Sequence, residues 1–153
     1  MFGKSLSQYL SFQKWILTLI VVVAVGRLGM SLAGLPNAQA KWLSVTVALL
    51  IGLVYSAVAV HTSGFGSYRQ LYGLLLIQSI VGQGLVALGI ILGIVTGHDN
   101  IFTAPEYSGG GDGKTWFHVG AHVVVGTIVL PLLSWLIGSL ILAVTKKVAP
   151  QSS

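Results

Sequence analysis

The sequence predicts an all-α integral membrane protein: a four-transmembrane-helix bundle with both termini in the cytoplasm. Three observations lead there. Of 153 residues, 54% are hydrophobic and only 7% charged, where a soluble domain carries about 25% charged residues. Mean hydropathy is +0.89. Four apolar stretches, at 15–34, 42–60, 71–96 and 116–145, each reach the roughly 20 residues that cross a bilayer, and the last two exceed it and should tilt or protrude. Together they use nearly the whole chain, which leaves one membrane domain over 1–153 and no room for a separate soluble one.

Each span has an interfacial marker. Trp15, Trp42 and Trp116 open the first, second and fourth, and tryptophan favours the membrane–water boundary. Tyr68 and Tyr72 play that part for the third. Orientation follows from the cations. Lys4, Lys14, Arg69, Lys146 and Lys147 share one side, whereas Lys41 and Lys114 share the other with Asp99, Glu106 and Asp112. The positive-inside rule then puts both termini in the cytoplasm and the long loop 97–115 outside, with the cytoplasmic membrane of a bacterium as the expected location.

Residues 14–40 imitate a signal peptide ending in Ala38-Gln39-Ala40. Arg27 and an overlong tail after the apolar run argue for a retained span instead. The net charge of +5 does not imply nucleic acid, because the eight cations are scattered rather than gathered on one face. Cysteine is absent, which excludes disulfides, thiolate metal sites and c-type haem attachment.

Two packing features stand out. Gly89, Gly93 and Gly97 recur every fourth residue, the small-xxx-small spacing that lets another helix approach closely. Pro131 removes a backbone donor inside the fourth span and is expected to kink it.

Depth identifies the candidate site. At 1.5 Å per residue, Arg27 lies roughly 18–20 Å from the inner face, and His118 and His122 lie roughly 3 and 9 Å below the outer one. His98 closes the third span on that same side, whereas His61 closes the second on the opposite side. His118 and His122, four apart, share a helix face. Two such imidazoles can hold one metal ion, or each can be an axial ligand to haem b, with His98 as the second ligand and Arg27 on a propionate. Plain structural roles rank first for these four residues, a redox cofactor second, and a quinone, lipid or metal site third. A charge at the depth of Arg27 needs a partner: an outer-loop acid, with Asp99 nearest in sequence, a cofactor carboxylate or a lipid phosphate.

A second polar layer, Tyr55 with Ser56, Gln78 and, nearer the middle, Gln83, reads as hydrogen-bonded packing or, more remotely, a quinone site. Residues 108–115 imitate a phosphate loop, but Ser108 stands where the pattern requires glycine and no strand precedes it. Flexibility of this segment before a docked helix is the expected role, with the upstream Phe102, Pro105 and Tyr107 as loop anchors or partner contacts. No intramembrane acid or nucleophile–base pair is present. The chain therefore reads as an accessory subunit of a larger, energy-transducing membrane complex, with lipid and a membrane protein as partners and no catalysis of its own. The alternative is a b-type haem electron-transfer protein.

Overall fold

A computed structural model describes residues 1–150, all of whose regular structure is helical. Seven α-helices run in order: α1 (Leu6–Phe12), α2 (Lys14–Leu32), α3 (Asn37–Ala40), α4 (Val45–Thr62), α5 (Tyr68–Thr96), α6 (Trp116–Val124) and α7 (Leu130–Val148). A π-helical turn, Val125–Val129, joins α6 to α7, so the last element is one apolar rod from Trp116 to Val148. Four helical segments are long and apolar enough to cross a membrane: Lys14–Leu32, Asn37–Thr62, Tyr68–Thr96 and Trp116–Val148. They alternate in direction. The termini and the 63–67 connection share one end of the bundle, the terminal end; residues 97–115 and α3 form the other, the loop end.

The helix starts follow local chemistry. Ser67 and Gln70 form a reciprocal capping box, which begins α5 at Tyr68 rather than at the first apolar residue, 71. Ser44 accepts from the Val47 amide and starts α4 at Val45, so Trp42 precedes its helix instead of opening it. A second capping box, Ser5 with Gln8, starts the unanticipated helix α1. Such boxes satisfy two orphan donors of the first turn. Helix α1 seats Tyr9, fully buried, against Gly73 of α5. The expected break at Pro131 takes the form of the π turn, in which the Leu130 amide reaches back to the Val125 carbonyl. One wide turn absorbs the crowding of the ring, and π turns often mark functional positions.

Helix α5 is central. Half of its apolar window is buried, against 17% for α2 and for the α6–α7 rod. Gly52 and Gly82 admit its neighbours closely: Ile16 of α2 and Gln78 of α5 crowd Gly52, and Leu49 and Ile20 press on Gly82. The Gly89/Gly93/Gly97 face behaves differently from expectation. Gly89 meets the Phe102 ring and Gly93 meets Thr103 and Asn100, while Gly97 is open and ends the helix at φ 71°. The close neighbour is the chain's own returning loop, not another helix.

Part of that loop is core. Asn100, Ile101, Phe102, Thr103 and Ala104 are all buried, so Phe102 anchors the loop, whereas residues 109–112 of its glycine-rich end are exposed. The Asn100 amide donates to the Gly89 carbonyl at 2.8 Å and its oxygen accepts from the Phe102 amide at 2.9 Å. The Ile101 amide donates to Ser31 Oγ. Non-helical backbone is tolerated among apolar helices only when its polar groups are matched in this way.

Candidate functional site

The polar residues singled out by depth separate into two places. Toward the terminal end, the Gln78 amide donates to Gln13 Oε1 at 2.9 Å and to Ser56 Oγ at 2.8 Å. All three side chains are at most 1% exposed, so this is a helix-to-helix tie linking α4 and α5 to Gln13, between α1 and α2. Tyr55 is not part of it: 43% exposed, it turns outward beside Phe12. Gln83 is not part of it either. Gln13 escaped notice because it precedes the first apolar run; it is buried because α1 folds onto the bundle.

Gln83 belongs to the loop-end site. Its Oε1 accepts from His122 Nδ1 at 2.6 Å, His122 Nε2 faces His118 Nε2 at 3.2 Å, and His118 Nδ1 donates to the Gly113 carbonyl at 2.9 Å. The chain of contacts runs from α5 through α6 to the loop. Thr115 holds the start of α6 by accepting from the His118 amide. Gly126, in the π turn, leaves room for the Gln83 stem and accepts at its carbonyl from Ser79 Oγ.

Beside this chain lies a cavity of about 360 Å3 lined by Arg27, Lys41, Ser44, Thr46, Gln83 and His122, with Phe102 and Tyr107 among its walls. Arg27 enters it from α2. Its guanidinium lies 5.6 Å from the Phe102 ring and 5.2 Å from the Tyr107 ring, and aromatic faces attract a cation. Arg27 Nε is buried and has no hydrogen-bond partner among the described residues.

The expected pairing of Arg27 with a loop acid is therefore overturned. Asp99 and Asp112 are both held by Lys114, and Glu106 accepts from the Asn37 side chain at 2.8 Å. The bond to Asp99 raises the Lys114 pKa, and the bond from Asn37 lowers that of Glu106. The acids are engaged elsewhere, and none lines the cavity.

His98 is exposed on the loop and makes no side-chain contact with His118 or His122. His61, at the terminal end, faces the Ala149 carbonyl at 3.3 Å. Lys41, Ser44 and Thr46 were missed as cavity residues, since nothing in their spacing aims them at Arg27. Comparison with family models, with curated proteins and with solved structures finds no match to this chain.

Proposed function

We propose that this protein is a small polytopic membrane protein whose loop-end cavity binds an anionic group, a phosphate or carboxylate carried by a lipid or a soluble ligand. The observation that carries this reading is Arg27: a cation with a buried, unmatched Nε–H, at a cavity with a second cation and no acid. A volume of about 360 Å3 falls in the range of small-ligand sites. Ser44, Thr46 and Gln83 offer further hydrogen bonds, and Phe102 and Tyr107 hold the guanidinium plane. The four apolar helices, each long enough to cross a membrane, suit an accessory role in a larger membrane complex.

The haem reading has less support. Axial ligands face each other across iron, whereas His118 and His122 converge from one helix and His98 stands apart.

Purified protein should be stabilised by vesicles containing phosphatidylglycerol over phosphatidylcholine alone, or by inorganic phosphate, and the two arms identify the source of the anion. Ligand at a hundredfold over Kd adds about 2.7 kcal/mol. A hydrogen bond to a charged group is worth about 1.5–3 kcal/mol, so Arg27→Gln should weaken binding roughly 10- to 100-fold. Equal stabilisation of the variant by both probes would sink the proposal.

In the proposed orientation the termini are cytoplasmic and the cavity opens in the outer leaflet. Since the chain has no native thiol, Ser108→Cys should react with an impermeant maleimide from outside the cell. Reaction only after the inner face is opened would reverse the topology.

A further inference from the structure

The histidine pair has a geometry that the anion site does not use. Both imidazoles are anchored at Nδ1: His118 donates to a backbone carbonyl that can only accept, and His122 faces the oxygen of Gln83. With a proton on each Nδ1, both neutral rings present bare Nε2 lone pairs, and those two atoms are 3.2 Å apart. Two lone pairs at that distance repel unless something positive lies between them. Ring centroids 4.9 Å apart at an interplanar angle of 48° leave the nitrogens converging on one point. They open onto a groove lined by Ala121, Val125 and Leu130.

We propose that His118 and His122 bind a divalent transition-metal ion of zinc type through their two Nε2 atoms. At metal–nitrogen distances of about 2.0–2.1 Å, a 3.2 Å separation subtends roughly 100–105° at the metal, near the tetrahedral angle. The anchoring of the remote nitrogen by a carbonyl or amide oxygen is the second-shell arrangement that fixes tautomer and ring orientation in metal-ligating histidines. Water or a small anion from the groove completes the coordination. The α6 backbone sets the four-residue spacing, Gly113 and Gln83 set the ring rotations, and the π turn carrying Gly126 lets Gln83 reach His122. Gln83 and His122 also border the anion cavity, but Arg27 contributes no ligand, so the metal site survives in Arg27→Gln.

The test uses cobalt(II) as a spectroscopic probe on the full-length protein in detergent, with zinc as competitor. One equivalent of cobalt should bind, with the intense visible ligand-field bands of a tetrahedral site, and zinc should displace it. His118→Ala and His122→Ala should each abolish the bands, and Gln83→Leu should weaken affinity 10- to 100-fold, whereas His98→Ala should leave them unchanged. A second measurement needs no variant. Zinc should protect His118 and His122 of the native chain from diethylpyrocarbonate while His98 remains reactive. Absence of tetrahedral bands, or equal reactivity of all three histidines with and without zinc, would overturn the site and leave the pair sharing a single proton instead.

Discussion

Gly113→Val is expected to detach the loop from the bundle and to lower the unfolding temperature of the protein in detergent. A Cβ at Gly113 would collide with the backbone of Thr103, its carbonyl oxygen included. Backbone cannot rotate away as a side-chain tip can. Thr103 is moreover fixed, because its hydroxyl accepts from the Asn100 amide at 2.9 Å while Asn100 grips Gly89. Overpacking of this kind costs about 1–3 kcal/mol, occasionally more. A second loss follows at the histidines, since the Gly113 carbonyl holds His118 Nδ1. An Ala104→Cys reporter should be protected from thiol reagents in the native background, where Ala104 is 4% exposed, and should react quickly when Gly113→Val is added. Unchanged protection and melting would show that the loop does not depend on this close approach.

Gly52→Val should damage the opposite half of the molecule. A Cβ there would overlap Gln78 Oε1 and come within 2.8 Å of Ile16 Cγ2. Gln78 is no free side-chain end, for its amide is tied to both Gln13 and Ser56. Moving it breaks two buried hydrogen bonds where each is worth about 0.6–2 kcal/mol between membrane helices, on top of about 1–3 kcal/mol for the overpacking. Because the sharper clash is with Gln78, Gly52→Ala combined with Gln78→Ala should be less damaging than the sum of the two alone. Contacting pairs typically show interaction energies of about 0.5–3 kcal/mol. Strict additivity in that double-variant cycle would place the strain on Ile16 instead.

The four long helices were legible because an apolar run of some twenty residues, nearly free of charge, matches the thickness of a bilayer. Two helix starts were legible too and went unused. Ser5-x-x-Gln8 and Ser67-x-x-Gln70 are both capping-box patterns, and reading them yields α1 and the true start of α5. The partner of the glycine stripe was not legible, since small-residue spacing says that something approaches closely but not whether it is a helix or a loop. Only the apolar pair Ile101-Phe102 inside the loop hinted at the answer. Sequence proximity misassigned Asp99, because folding places Lys114 beside it and leaves Arg27 to aromatic rings.

Gln83 illustrates a limit of counting depth. Thirteen residues before Thr96, it lies about 20 Å from the end of α5, whereas His122 lies about 9 Å from the start of α6. They meet at 2.6 Å because α5 runs past the level at which α6 begins and the loop folds back over its tip. Helix lengths alone carry no such offset. Contacts across it come from the packing of residues 100–104.

The most direct test of the anion site is nuclear magnetic resonance on protein labelled with 15N at arginine Nε. The chain has two arginines, Arg27 and Arg69, so the spectrum has two side-chain signals and an internal control. On transfer from phosphatidylcholine nanodiscs to nanodiscs containing phosphatidylglycerol, or on titration with phosphate, the Arg27 Nε–H signal should move downfield and exchange more slowly with water, saturating as a single site fills. The Arg69 signal should move little and should not saturate. An Arg27 signal that stays in place, or that moves only in parallel with Arg69, would contradict the assignment of this cavity to an anionic ligand.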